Sequence, residues 1–121
     1  MQIDQTEQQG WQVMHLNGRL DGNGAPLLGR AIDAYLDDGG RHLVLDLSRL
    51  SYISSIGLRV LLMAGKRLAR PSAGAAPEGG VKGQLVLATL KANVREVFEM
   101  SGFIALFPVI DDLTALQPAS G

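Results

Sequence analysis

The sequence has no cysteine, which excludes disulfides, thiolate metal sites and a cysteine nucleophile. It has two histidines, His15 and His42, in separate segments and without carboxylates at metal-ligand spacing. Neither sign of charge dominates. Eleven Lys and Arg against twelve Asp and Glu leave a net charge of −1, too little to favour nucleic acid or an anionic membrane as a direct partner. Long apolar runs are also missing. The best of them, Val60-Leu61-Leu62-Met63-Ala64-Gly65, is closed by Arg59 and Lys66 and falls well short of the roughly 18–20 residues of a membrane span. The start, Met1-Gln2-Ile3-Asp4-Gln5, has neither the basic nor the apolar region of a leader, so a cytoplasmic protein is expected. What is present suits a packed core: 46% apolar residues in a chain of 121, read as a single domain over residues 1–121.

Residues 3–8 and 11–16 read as two strands around a Gln9-Gly10 turn. Residues 17–24, with three glycines and two asparagines, read as a contact loop; no Lys-Ser/Thr pair closes it as a phosphate loop requires. A helix with Pro26 in its first turn follows, carrying Leu28, Ile32 and Tyr35 on one stripe. His42-Leu43-Val44-Leu45-Asp46-Leu47 reads as a central parallel strand. Asp46 stands near its carboxyl end, a place for function or for a bond to neighbouring amides. Beyond Ser54-Ser55-Ile56-Gly57, a helix to about Arg70 buries Leu58, Leu61, Leu62, Gly65 and Leu68. Its other face holds Arg59, Lys66, Arg67 and Arg70, with Met63 exposed among them.

Residues 71–83, rich in glycine, proline and alanine, read as a flexible loop. A strand over 84–88 comes next, then a helix opening on an Asn93-Val94-Arg95-Glu96 capping box and closed by Gly102. An edge strand near Leu106-Phe107-Pro108-Val109 and a last helix capped by Asp111 or Asp112 complete the chain. Alternating strands and helices predict an α/β fold with a mostly parallel sheet and an opening hairpin.

Val44-Leu45-Asp46-Leu47, followed by Tyr52-Ile53-Ser54-Ser55-Ile56-Gly57-Leu58-Arg59, resembles the STAS domain family, which includes bacterial anti-sigma factor antagonists. Gly18-Arg19-Leu20-Asp21 is similar to the family's loop after the second strand, and 94–103 to its third helix and stop. The resemblance implies a four- to five-stranded mixed sheet packed by about four helices. It also implies a serine phosphorylated by a kinase-type anti-sigma factor within an Asp-Ser-Ser/Thr-Gly-Leu motif, which falls on Ser55. The chain departs at Ser54, where the motif has Asp, and at Ile56, where it has Ser or Thr.

On this reading the protein binds the anti-sigma kinase and releases sigma factor. Its contacts would be Arg19, Asp21 and Asn23 on one loop, Ser54, Ser55, Ile56 and Gly57 on the other, and Arg59, Met63 and Lys66 on the helix. A separate phosphatase resets Ser55. No cofactor, nucleic acid or direct membrane contact is expected, and the protein is read as a monomer or weak dimer. Two alternatives stand beside this. One is an unphosphorylated subunit of a lipid or anion transporter, or a stress-signalling scaffold, favoured by the missing Asp at 54. The other is a small enzyme with Ser55 as nucleophile, His15 or His42 as base and Asp21 or Asp46 as orienter. The chain lacks a nucleophile elbow, which weighs against it.

Overall fold

The computed structural model describes residues 1–69 and 83–119. All of the expected 71–83 loop except Gly83, together with Arg70, lies outside the described residues. Strands β1 (Gln2–Gln8) and β2 (Trp11–Leu20) form the opening hairpin. Then follow α1 (Gly24–Asp37), β3 (His42–Ile53), α2 (Ser55–Ala69), β4 (Gln84–Ala88), α3 (Ala92–Ser101) and β5 (Val109–Ile110). The sheet order is β1-β2-β3-β4-β5, with β1 antiparallel to β2 and every later pair parallel.

Strand alternation divides the apolar residues between two cores. Met14, Leu16, Leu43, Leu45, Leu85 and Leu87 face α1, α2 and α3, where they meet Leu28, Ile32, Leu61, Leu68 and the fully buried Phe98. Each such side chain contributes on the order of 1.5–3 kcal/mol by leaving water. Trp11, Val13, Val44, Val86 and Ala88 face the other way and are covered by Leu113, Leu116 and Ala119 of the C-terminal segment. That segment is tied to the hairpin: Trp11 Nε1 donates to Gln117 O at 2.7 Å, and Gln8 Nε2 to Leu113 O at 2.8 Å.

Four expectations are corrected. The 17–24 loop shrinks to three residues because β2 runs on to Leu20 beside a β3 that itself runs to Ile53. Two register shifts absorb the twist between these long strands, one of them at Gly18, whose φ is +116°. The capping box does not form. Lys91 is the N-cap of α3, and Asn93 Nδ2 instead donates to Ser51 O at 2.9 Å, satisfying a carbonyl beside the second shift. The edge strand sits at Val109–Ile110, with Pro108 outside it offering its carbonyl to Leu87 N at 2.9 Å. Among the described residues there are three α-helices rather than four. The last is a 3-10 turn, Leu113–Ala115, whose cap Asp112 accepts from Thr114 N at 2.8 Å. The Gly102 stop is found as expected, at φ 79°.

On the face opposite the helices, beyond the reach of the C-terminal segment, His15 and Asp46 sit side by side in the β2–β3 register. His15 Nδ1 lies 2.7 Å from Asp46 Oδ2 and Nε2 lies 2.9 Å from Thr6 Oγ1. A carboxylate only accepts, so Nδ1 carries the hydrogen. Burial alone would push the Asp46 carboxyl up, but the bonds from His15 and from Ser48 outweigh it and leave the group below its ordinary value. The unfolded chain therefore binds the proton more readily, and acid favours unfolding. Stability supplied by Asp46 is present above about pH 4, the ordinary carboxylate value, and is lost as pH falls through the lower folded value. Asp46→Asn should cost about 1.5–3 kcal/mol at neutral pH and flatten the acid limb of stability, read by urea unfolding across pH.

Candidate functional site

The carboxyl ends of β2 and β3 and the start of α2 converge at one end of the sheet. Gly57 explains how closely they approach. It is buried in the first turn of α2, and a Cβ there would lie 2.7 Å from Leu20 Cγ and 2.9 Å from Leu20 O. Without a side chain at 57, the helix start can rest directly on the end of β2.

Ser54 fixes the same junction by hydrogen bonds. Its N–H donates to Leu20 O at 2.9 Å, its hydroxyl donates to the same carbonyl at 3.1 Å and accepts from Gly57 N at 3.2 Å, and its carbonyl accepts from Leu58 N at 3.0 Å. Ser54 is thus the N-cap of α2, a role that Ser and Asp fill about equally well. Ser55 is exposed, and its hydroxyl makes no hydrogen bond among the described residues. One serine of the pair is engaged as donor and acceptor; its neighbour is free.

Asp21 organises the facing loop. Its carboxylate accepts from Gly24 N and Asn23 N, both at 3.0 Å, and these amides hold it below the ordinary carboxylate range. Arg19 lies with its guanidinium 4.4 Å from the centre of the Tyr52 ring, its Nε 3.7 Å from Asp21 Oδ2. The two loops lie close together: a Cβ on Gly22 would meet Ile56 Cδ1 at 3.9 Å. Ile56 and Met63 are each 53% exposed and, with Arg59, line a groove between α1 and α2.

Arg19, Asp21, Asn23, Ser54, Ser55, Ile56, Arg59 and Met63 therefore gather at one end of the molecule, while Gly57 lies buried beneath them against Leu20. Lys66 stands apart, further along α2, beside a different hollow lined by Leu62, Gly65, Phe107 and Pro108. Sequence reasoning missed Tyr52, which the β2–β3 register sets opposite Arg19. It also missed Gly29, a mid-helix glycine that lines the groove. Of the enzyme arrangement, only the base–orienter half is assembled: His15 Nδ1 pairs with Asp46, while its Nε2 meets Thr6 Oγ1. Ser55 has no hydrogen bond to this pair, His42 packs edge-on to Trp11 at 5.3 Å, and Asp21 is occupied by backbone amides.

A model of the STAS domain matches residues 2–115. A Bordetella bronchiseptica protein named as an anti-sigma factor antagonist, BtrV, is 40% identical over 119 residues, which cover 98% of this chain and 94% of that protein. An anti-sigma factor antagonist from Mycobacterium paratuberculosis has a similar fold, with a TM-score of 0.73, 24% identity and coverage of 93% and 87% of the two chains. The phosphorylated form of the Bacillus cell fate determinant SpoIIAA superposes with a TM-score of 0.68 at 20% identity, covering 94% of this chain and 96% of that one.

Two substitutions probe the junction. Gly57→Ala should destabilise the protein by about 1–3 kcal/mol, because the added methyl meets backbone as well as side chain of Leu20. Ser54→Ala should cost about 1 kcal/mol through the lost cap, and Ser54→Asp should recover only part of it, since a carboxylate accepts from Gly57 N but cannot donate to Leu20 O. Chemical denaturation of the four proteins checks both.

Proposed function

The chain belongs to the STAS domain family, and from that membership we propose that it is an anti-sigma factor antagonist whose hold on a kinase-type anti-sigma factor is released by phosphorylation of Ser55. One observation carries this reading. Ser55 presents an unengaged, exposed hydroxyl at the start of α2, while Ser54 is held in place as a cap. A kinase meets one available acceptor rather than two. The 40% identical relative named as an anti-sigma factor antagonist supports the assignment, and the phosphorylated SpoIIAA shows that a protein of this fold can carry the modification.

A phosphoryl group on Ser55 adds roughly −1.5 to −2 charges at the positive end of α2, where it can be accommodated without unfolding the helix. With Ser rather than Asp at 54, no adjacent carboxylate opposes it. A partner seated over the loop must desolvate that charge or be displaced by it, and a penalty of about 2–3 kcal/mol weakens binding some 30- to 150-fold. The switch acts on the interface and leaves the fold intact. A phosphatase would return the protein to its binding form. The protein itself contributes a surface and an acceptor, and no catalytic step is assigned to it. The alternative of an unphosphorylated transporter subunit or signalling scaffold leaned on the missing Asp at 54, a departure that loses weight when Ser54 supplies the same cap.

The test is capture of partners from the source cell with wild-type, Ser55→Ala and Ser55→Asp proteins, with mass spectrometry of the peptide holding Ser54 and Ser55. A kinase-type anti-sigma factor should bind wild type and Ser55→Ala and be lost at least about 30-fold in Ser55→Asp. Phosphate should appear on Ser55 and not on Ser54. A transporter ATPase held equally by all three proteins, with Ser55 unmodified, would overturn the reading.

A further inference from the structure

The groove between α1 and α2 has a volume of about 250 Å³ and an apolar lining that includes Ile32, Ile56, Val60, Met63 and Ala64. Gly29 lies on its α1 side. A glycine in mid-helix costs about 1 kcal/mol relative to alanine, so its presence needs a reason. At Gly57 that reason is close packing. At Gly29 packing gives none, because a Cβ built there meets nothing within 4 Å. The space over Gly29 is open groove, which a long side chain at 29 would enter.

The charges at the rim are uneven. Arg67 is held by two carboxylates of α1, Asp33 at 2.8 Å and Asp37 at 3.1 Å, so its charge is more than matched. Arg59 makes no ion pair or hydrogen bond among the described residues. The groove thus has an apolar floor and, among its described lining residues, one cation without a direct partner, Arg59, at the end nearer Ile56 and the Ser55 loop.

We propose that this groove is a socket for a segment of the anti-sigma factor that inserts an apolar side chain against Gly29 and places a neighbouring Asp or Glu on Arg59. The proposal rests on the docking function above and names the chemistry of the partner segment: apolar and acidic side chains set close together. It also gives Met63 a role, since a pliable thioether at the mouth can adapt to the inserted group.

The experiment is calorimetric titration of purified kinase-type anti-sigma factor into wild type, Gly29→Leu, Arg59→Glu, Ser55→Asp and, as a surface control on α3, Met100→Glu. Gly29→Leu fills the socket from within. Removing a mid-helix glycine should leave its melting temperature at or above that of wild type while affinity falls at least about 30-fold. Arg59→Glu should weaken binding about tenfold or more, independently of any packing change at 29. Met100→Glu should bind like wild type. Wild-type affinity in both Gly29→Leu and Arg59→Glu, with loss in Ser55→Asp, would overturn the socket and leave the docking function standing. Sedimentation showing a wild-type dimer that Gly29→Leu dissociates would assign the groove to a second copy and equally overturn the proposal. Failure of wild type itself to bind would remove the functional reading, and the socket with it.

Discussion

The close approach of α2 to the end of β2, with Gly57 resting on Leu20, is the constraint on which this end of the molecule depends. A helix start pressed onto a strand end leaves its first turn no freedom, and the bonds of Ser54 to Leu20 O and Gly57 N fix its rotation. Ser55 and Ile56 are then turned outward because the residues on either side are committed inward. The junction is ordered by backbone sterics and by a neutral hydroxyl, which accepts from Gly57 N as a carboxylate could and also donates to Leu20 O as a carboxylate could not.

The long β2–β3 ladder aims the rest of the surface. Its two register shifts turn Arg19 and Tyr52 onto a common side and bring the Asp21 turn near Ile56. Asn93 of α3 holds the second shift through Ser51 O, so three consecutive βα units converge on one end of the sheet. The opposite face is divided between an apolar half under the C-terminal segment and a polar half held by Thr6, His15, Asp46 and Ser48. The polar half can stay uncovered because its buried carboxylate is fully hydrogen-bonded.

Local signals in the sequence were enough to find β4 to its observed bounds, the Gly102 stop and the exposure of Met63, while α2 begins at Ser55, inside the expected loop. They were not enough where a distant residue decided the outcome. Asn17, Arg19 and Ser51 look like loop residues because they are polar, yet each lies in a strand whose length is set by its partner. Asn93 has the right neighbours for a capping box, but a carbonyl on β3 claims its side chain. The candidate loop residues were legible from the motif. Gly29 and Tyr52 were not, because what they do depends on which helix or strand lies beside them.

The C-terminal strap also bears on the order in which the molecule can form. Its bonds to Gln8, Gln9 and Trp11 join residues separated by 105 to 107 positions. During synthesis the helix-covered core can assemble first, while Trp11, Val13 and Val44 wait for Leu116 to emerge from the ribosome. Until then the nascent chain shows a sticky apolar sheet face. Any intermediate with this segment undocked keeps that face open to aggregation.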